Sequence, residues 1–143
     1  MTTEKVLLVD DEVDFLETMA ERLQTRGMDV TTVDKADEAF EKIQAEDYDA
    51  VILDFLMPGM NGIEALKALK KKRPDLQVIL LTGHATIEKS VEAMKLGAVD
   101  FLEKPADIEA LTEKIKEAQT NKMLIVEKKM ESRIKDVLKK HGV

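Results

Sequence analysis

The chain has no cysteine. That excludes disulfides, thiolate metal sites and a cysteine nucleophile. It has no tryptophan, one tyrosine and four phenylalanines, too few to build an aromatic stacking surface for bases. No apolar run approaches the roughly 18 residues that span a bilayer. The opening residues Met1 to Lys5 lack a signal-peptide layout. The expectation is a soluble, cytoplasmic protein that meets no membrane. No Gly-x-Gly-x-x-Gly follows the first apolar run, which excludes the common dinucleotide fingerprint. Positive charge is also short: the net is −7, which argues against direct nucleic-acid binding. What is present is 44% hydrophobic and 36% charged residues in a chain of 143. That is enough for one core and too apolar for disorder.

The rest of the chain is arranged around Ala50-Val51-Ile52-Leu53-Asp54, followed by Phe55-Leu56-Met57-Pro58-Gly59-Met60-Asn61-Gly62. A short continuous apolar run bounded by turn residues reads as a strand buried on both faces. Asp54 then ends a central strand, with its carboxylate at the C-terminal edge of a sheet, where open α/β sheets bind ligands. Taken alone, Asp54 could simply start the next turn. Three other stretches point at the same edge.

Val6-Leu7-Leu8-Val9 is a buried strand that runs into Asp10-Asp11-Glu12. Clustered acids there repel one another unless something positive sits among them. Val13, Phe15, Leu16, Met19, Ala20 and Leu23 recur at helical spacing, and Gly27 is placed to end that helix. Residues 28–33 read as an edge strand and 36–46 as a second helix with Ala39, Phe40 and Ile43 inward. Ile63, Leu66 and Leu69 mark a third helix, closed by Lys70-Lys71-Lys72-Arg73, cations that suit a helix C-terminus. Residues 77–82 form a strand ending in Thr82. Ile87, Val91, Met94 and Leu96 mark a fourth helix, closed by Gly97. Residues 98–102 form a short strand followed by Glu103-Lys104-Pro105, and Ile108, Leu111 and Ile115 begin a fifth helix.

Five strands therefore alternate with five helices. That pattern implies an α/β fold, a (βα)5 doubly wound parallel sheet. Every strand's C-terminal end then lies at one edge, which gathers Asp10, Asp11, Asp54, Thr82 and Lys104. Three carboxylates, a hydroxyl and a lysine suit Mg²⁺ together with a phosphoryl group. A carboxylate beside such a metal can itself be a nucleophile, giving an aspartyl phosphate. Each piece has a plainer reading: Asp10-Asp11 as a helix cap, Thr82 as another, Lys104 as a loop lysine. Their joint occurrence after successive strands favours the site.

Four motifs carry a family resemblance: Val9-Asp10-Asp11-Glu12, Leu53 to Gly62, Leu81-Thr82-Gly83 and Phe101-Leu102-Glu103-Lys104-Pro105. With them, residues 4 to about 119 resemble the receiver domains of two-component response regulators, in the CheY-like, flavodoxin-like superfamily. The resemblance implies strand order 2-1-3-4-5, with residues 1–119 as the receiver and 120–143 as a C-terminal helical extension. It implies phosphoryl transfer from a sensor histidine kinase to Asp54, a signalling domain rather than an enzyme in the ordinary sense. Self-phosphorylation and autodephosphorylation chemistry are expected with it. Asp10, Asp11, Asp54 and the backbone carbonyl of Leu56 would bind Mg²⁺. Thr82 and Lys104 would contact the phosphoryl oxygens. Thr82 and Phe101 would form the switch that reshapes the fourth helix, fifth strand and fifth helix. The Lys104–Pro105 bond is expected to be cis, as X-Pro bonds permit. Leu56 and His84 occupy positions that affect acyl-phosphate lifetime in this family, although His84 also reads as a plain solvated loop residue.

Phe101 stands where many receivers carry Tyr, so ring packing alone can signal. Asn61 replaces a common acid, with no consequence expected. The run Asp10-Asp11-Glu12-Val13-Asp14 fails the Asp-x-Asp-x-Thr pattern of a dehalogenase-like phosphatase. Phe15 sits where a calcium loop needs Gly.

Residues 120–143 carry seven Lys/Arg against three Asp/Glu. Met123, Val126, Met130, Ile134, Val137 and Leu138 fall at mixed 3–4 spacing, an amphipathic helix. Three readings stay open: a dimerising coiled coil, a helix folded back on a receiver, or the start of a linker. A homodimer through this helix or through the switch face is compatible with the sequence. The rival to the receiver reading is a phosphorylation-independent interaction module that keeps the fold.

Overall fold

The computed structural model describes residues 3–57, 60–83 and 86–140. Its main sheet has strands β1 (Lys5–Val9), β2 (Asp29–Val33), β3 (Ala50–Asp54), β4 (Val78–Thr82) and β5 (Asp100–Glu103). All are parallel, in the order 2-1-3-4-5. The helices are α1 (Val13–Thr25), α2 (Ala36–Ala45), α3 (Gly62–Lys72), α4 (Ile87–Lys95) and α5 (Ile108–Lys140). Because the sheet is parallel, Val9 pairs with both Val33 and Leu53, Asp54 with Leu81, and Thr82 with Glu103. The strand ends that carry the chemistry therefore share one edge.

The strands show why the apolar runs are continuous. Side chains alternate across a sheet. Val6, Leu8, Ala50, Ile52, Ile79 and Leu81 pack on one face with Leu16, Leu23, Leu111 and Ile115 of α1 and α5. Leu7, Val9, Val51, Leu53, Val78 and Leu80 pack on the other with residues of α2, α3 and α4. Both faces are covered, so neither tolerates a polar side chain until the strand ends.

Two helices stop as their glycines require. Gly27 has φ +84° and Gly97 φ +98°. Met28 N–H donates to Leu23 O at 3.2 Å and Gly27 N–H to Gln24 O at 2.9 Å; the same pair recurs as Ala98 to Ala93 and Gly97 to Met94, both at 3.1 Å. These are Schellman closures that need a left-handed residue. The second one explains why β5 starts at Asp100 and not at Ala98: residue 98 is still occupied in ending α4.

Other departures are local. A two-residue antiparallel ribbon, Leu56–Met57 against Met60–Asn61, follows β3. Helical spacing identified α4, and of the residues that mark it only Leu96 packs against the core. Ile87 is 84% exposed, and Val91 and Met94 are also exposed, while small Ala93 is buried against the sheet. Thr120 and Asn121 do not break α5; Thr120 Oγ1 donates to Lys116 O at 3.1 Å inside the helix. None of the described helices is long and apolar enough to cross a membrane.

Candidate functional site

Four of the five strand ends deliver one group each. Asp10 follows β1; its N–H donates to Val33 O at 3.2 Å, and its Oδ1 accepts from Glu12 N–H at 2.9 Å. Asp54 closes β3 and is buried, and Thr82 closes β4 with no exposure at all. Lys104 follows β5, where its N–H donates to Thr82 O at 2.7 Å. That bond fixes the two residues side by side. The Lys104–Pro105 peptide is cis.

The Lys104 side chain reaches back across this edge. Its Nζ lies 2.6 Å from Asp10 Oδ2, 3.1 Å from Glu12 Oε1 and 3.7 Å from Asp54 Oδ2. It also sits 4.4 Å from the centre of the Phe15 ring, a cation–π contact. Burial pulls the Lys104 pKa down. The hydrogen bonds to Asp10 and Glu12 and the charges of Asp10 and Asp54 outweigh that pull, so the net direction is upward. The ammonium is thus the positive charge that the acidic cluster requires.

Asp10, Glu12 and Asp54 each offer a carboxylate oxygen, all within 4.8 Å of one another. Three hard anionic oxygens at that spacing suit a small divalent cation such as Mg²⁺. The sequence reading placed Asp11, not Glu12, in this group. Asp11 and Glu12 are both exposed; the Glu12 carboxylate is the one that reaches toward Asp54 and Lys104. The signal for Glu12 was present in the acidic run but did not distinguish among its members.

Phe101 is half-buried against the core face of α2, α3 and α4. Its ring meets Phe55, the residue after Asp54, edge to face with centroids 5.6 Å apart. Phe55 also lies under Lys89 of α4, whose Nζ is 5.0 Å from the ring centre. A chain of contacts therefore runs from the Asp54 loop to α4 and β5. His84 and the Pro58-Gly59 pair lie outside the described residues, and so does the Leu56 side chain.

Asn61 caps a helix, a role that the acid it replaces would fill as well. Its Oδ1 accepts from Ile63 N–H at 3.0 Å and Glu64 N–H at 3.4 Å, capping α3. An Asn before an apolar-periodic run is a helix-start signal, so this role was readable. Gly62 comes next. A Cβ there would stand 2.6 Å from Phe55 Cδ2 and 2.7 Å from Phe55 O. Backbone cannot yield as a flexible side chain can. Gly62→Ala is expected to cost about 2 kcal/mol or more and to disturb the Asp54 loop, read as a lower denaturation midpoint. An unchanged midpoint would contradict this packing.

Residues 6–116 match the family model described as the response regulator receiver domain. The chain is 37% identical over 124 residues to the C4-dicarboxylate transport transcriptional regulatory protein DctD of Pseudomonas aeruginosa, covering 86% of this chain and 27% of that protein. It is 37% identical over 119 residues to the transcriptional regulatory protein FixJ of Bradyrhizobium diazoefficiens, covering 82% and 58%. It thus spans roughly a quarter to a little over half of those relatives. Among solved structures, a response regulator receiver domain protein from Clostridium thermocellum superposes with a TM-score of 0.80 at 33% identity, over 85% of this chain and 98% of that one.

Proposed function

The chain belongs to the response regulator receiver domain family, and we propose that its own phosphoacceptor is Asp54, which takes a phosphoryl group from a sensor histidine kinase. A carboxylate oxygen of Asp54 attacks the phosphorus, the P–N bond to the donor imidazole breaks, and the electron pair leaves with that nitrogen. The product is an acyl phosphate, which water later cleaves. The observation that carries this reading is the half-buried cation. Lys104 Nζ bridges Asp10 and Asp54 where a phosphoryl oxygen on Asp54 would need a positive partner.

Mg²⁺, when bound by Asp10, Asp11, Asp54 and the Leu56 carbonyl, would neutralise the acids and stabilise charge on the transferring group. Glu12 joins that candidate set by position. Lys104 screens Asp54 before transfer and pairs with the phosphoryl oxygens after it. Thr82, held beside Lys104 by the backbone bond, turns its hydroxyl toward the new oxygens. Phe101 follows by repacking against Phe55. The α4–β5–α5 face then changes shape, a two-state equilibrium biased by one local charge. The outward apolar stripe of α4, Ile87, Val91 and Met94, is the part of that face best suited to a partner or to a second copy.

Intact-mass spectrometry after incubation with acetyl phosphate tests the reading. A gain of one phosphoryl group that requires Mg²⁺ is expected. No gain in either condition would favour a phosphorylation-independent interaction module.

A further inference from the structure

Little joins α4 to the body of the protein. Of its nine residues only Ala93 is buried. Its side-chain hydrogen bonds stay within the helix and its cap: Thr86 Oγ1 accepts from Lys89 N–H at 3.2 Å, and Ser90 Oγ donates to Thr86 O at 2.7 Å. Among the described residues no ion pair ties α4 to another element. A helix with so few buried contacts shifts at little cost.

One polar side chain does reach out of it. Lys89 is half-buried, with Nζ 5.0 Å from the centre of the Phe55 ring. Glu64 and Glu92 line the same cavity of about 410 Å³. Glu64 pairs with Lys67 at 3.8 Å, and neither acid forms an ion pair with Lys89 among the described residues. The ammonium of Lys89 therefore has an aromatic face as its partner in preference to a carboxylate.

That ring belongs to the residue directly after Asp54. The Phe55 backbone is fixed: its N–H donates to Leu81 O at 3.3 Å, and its carbonyl lies 2.7 Å from where a Gly62 Cβ would stand. The ring is the part that can move, and the cavity beside it gives it room. It meets Phe101 edge to face. When Phe101 repacks, the Phe55 ring loses that contact, and Lys89 must follow the ring or part from it. We propose, on the reading of Asp54 as the phosphoacceptor, that Lys89 is a positioning residue for the switch. Its ammonium on Phe55 holds α4 in the arrangement of the unmodified protein and opposes the repacking that follows phosphoryl transfer. A contact made better in one of two states shifts the equilibrium toward that state. A single cation–π contact biases it by about twofold to fivefold.

Titration calorimetry with beryllofluoride, a phosphoryl mimic, in the presence of Mg²⁺ tests this on the full chain. K89M, which keeps the stem and drops the charge, should bind the mimic about twofold to fivefold more tightly, since coupling between a bound group and a conformation is reciprocal. K89R should match wild type. In an F55L background K89M should add nothing further. Hydrogen exchange of the α4 amides, measured without the mimic, should be faster in K89M than in wild type or K89R, with circular dichroism unchanged. The proposal is overturned by a K89M affinity equal to wild type, by the same gain in the F55L background, by K89R behaving as K89M, or by unaltered α4 exchange. A wild-type chain that does not bind the mimic would instead remove the phosphoacceptor reading itself.

Discussion

Asp54→Ala is expected to abolish the phosphoryl gain completely and to leave the protein folded. The carboxylate is the only part of Asp54 that the transfer uses. Its backbone stays in register with Leu81 of β4 whatever the side chain. Removing it leaves Lys104 with Asp10 at 2.6 Å and Glu12 at 3.1 Å, so the cation keeps two anions. Without Mg²⁺ the change in stability should stay within about 1 kcal/mol. Relief of carboxylate repulsion alone would make the change neutral or slightly stabilising. Lys104 already offsets much of that repulsion, and little is left to relieve. Intact mass and a thermal melt check both halves. Labelling that persists at a single site would sink the assignment, and a much lower melting temperature would show that Asp54 is structural. Asp54→Asn, which keeps the size, separates a packing loss from a charge loss.

Lys104→Met should be the more damaging substitution for stability. The Lys104 side chain is 12% exposed, and those of Asp10 and Asp54 are 2% and 5% exposed. Methionine keeps the stem against Phe15 and removes the charge. Breaking a buried pair from one side typically costs about 3–5 kcal/mol, because the remaining charge loses its compensation. For a domain of this size that is a fall of about 10 °C or more. Mg²⁺ should restore part of the loss if the acids bind it, and phosphorylation should slow sharply. A melting temperature within a degree of wild type would refute this role for Lys104. The pH dependence follows from the sign of the shift. The ordinary pKa is 10.5 and the folded value is higher. The stabilisation is therefore complete below about pH 10.5 and is lost as pH rises through the folded value. Tyr48, pushed up to about 12 by burial and by its bond to Glu46, adds an alkaline loss of its own. The difference between wild type and Lys104→Met isolates the lysine.

The strand runs announced themselves because both sheet faces are covered, which demands unbroken apolar sequence. The glycine closures at 27 and 97 were legible because a left-handed residue there has few substitutes. The edge that gathers Asp10, Asp54, Thr82 and Lys104 followed from parallel topology alone. What stayed hidden was orientation within an element. A stripe at Ile87, Val91 and Met94 has the same period whether it faces core or solvent, and Ala93 is too small to tip the reading. Which acid of the Asp10-Asp11-Glu12 run points toward Asp54 depends on how the chain turns from β1 into α1, and no local pattern records it. The ion pairs of Lys122 with Asp49 and of Lys129 with Asp75 join residues more than fifty positions apart, beyond the reach of any such pattern.

Tyr48 has an optical consequence. With no tryptophan and a single tyrosine, nearly all near-ultraviolet absorbance at 280 nm comes from one ring. That ring is buried, donates its hydroxyl to Glu46 at 2.6 Å and has Lys5 Nζ 5.2 Å from its centre. It lies at the edge where Lys122 of α5 pairs with Asp47 and Asp49, beside Lys122 and Val126 across a shared cavity, and away from Asp54. The intrinsic chromophore of this protein therefore watches its long last helix and is nearly blind to its phosphoryl site.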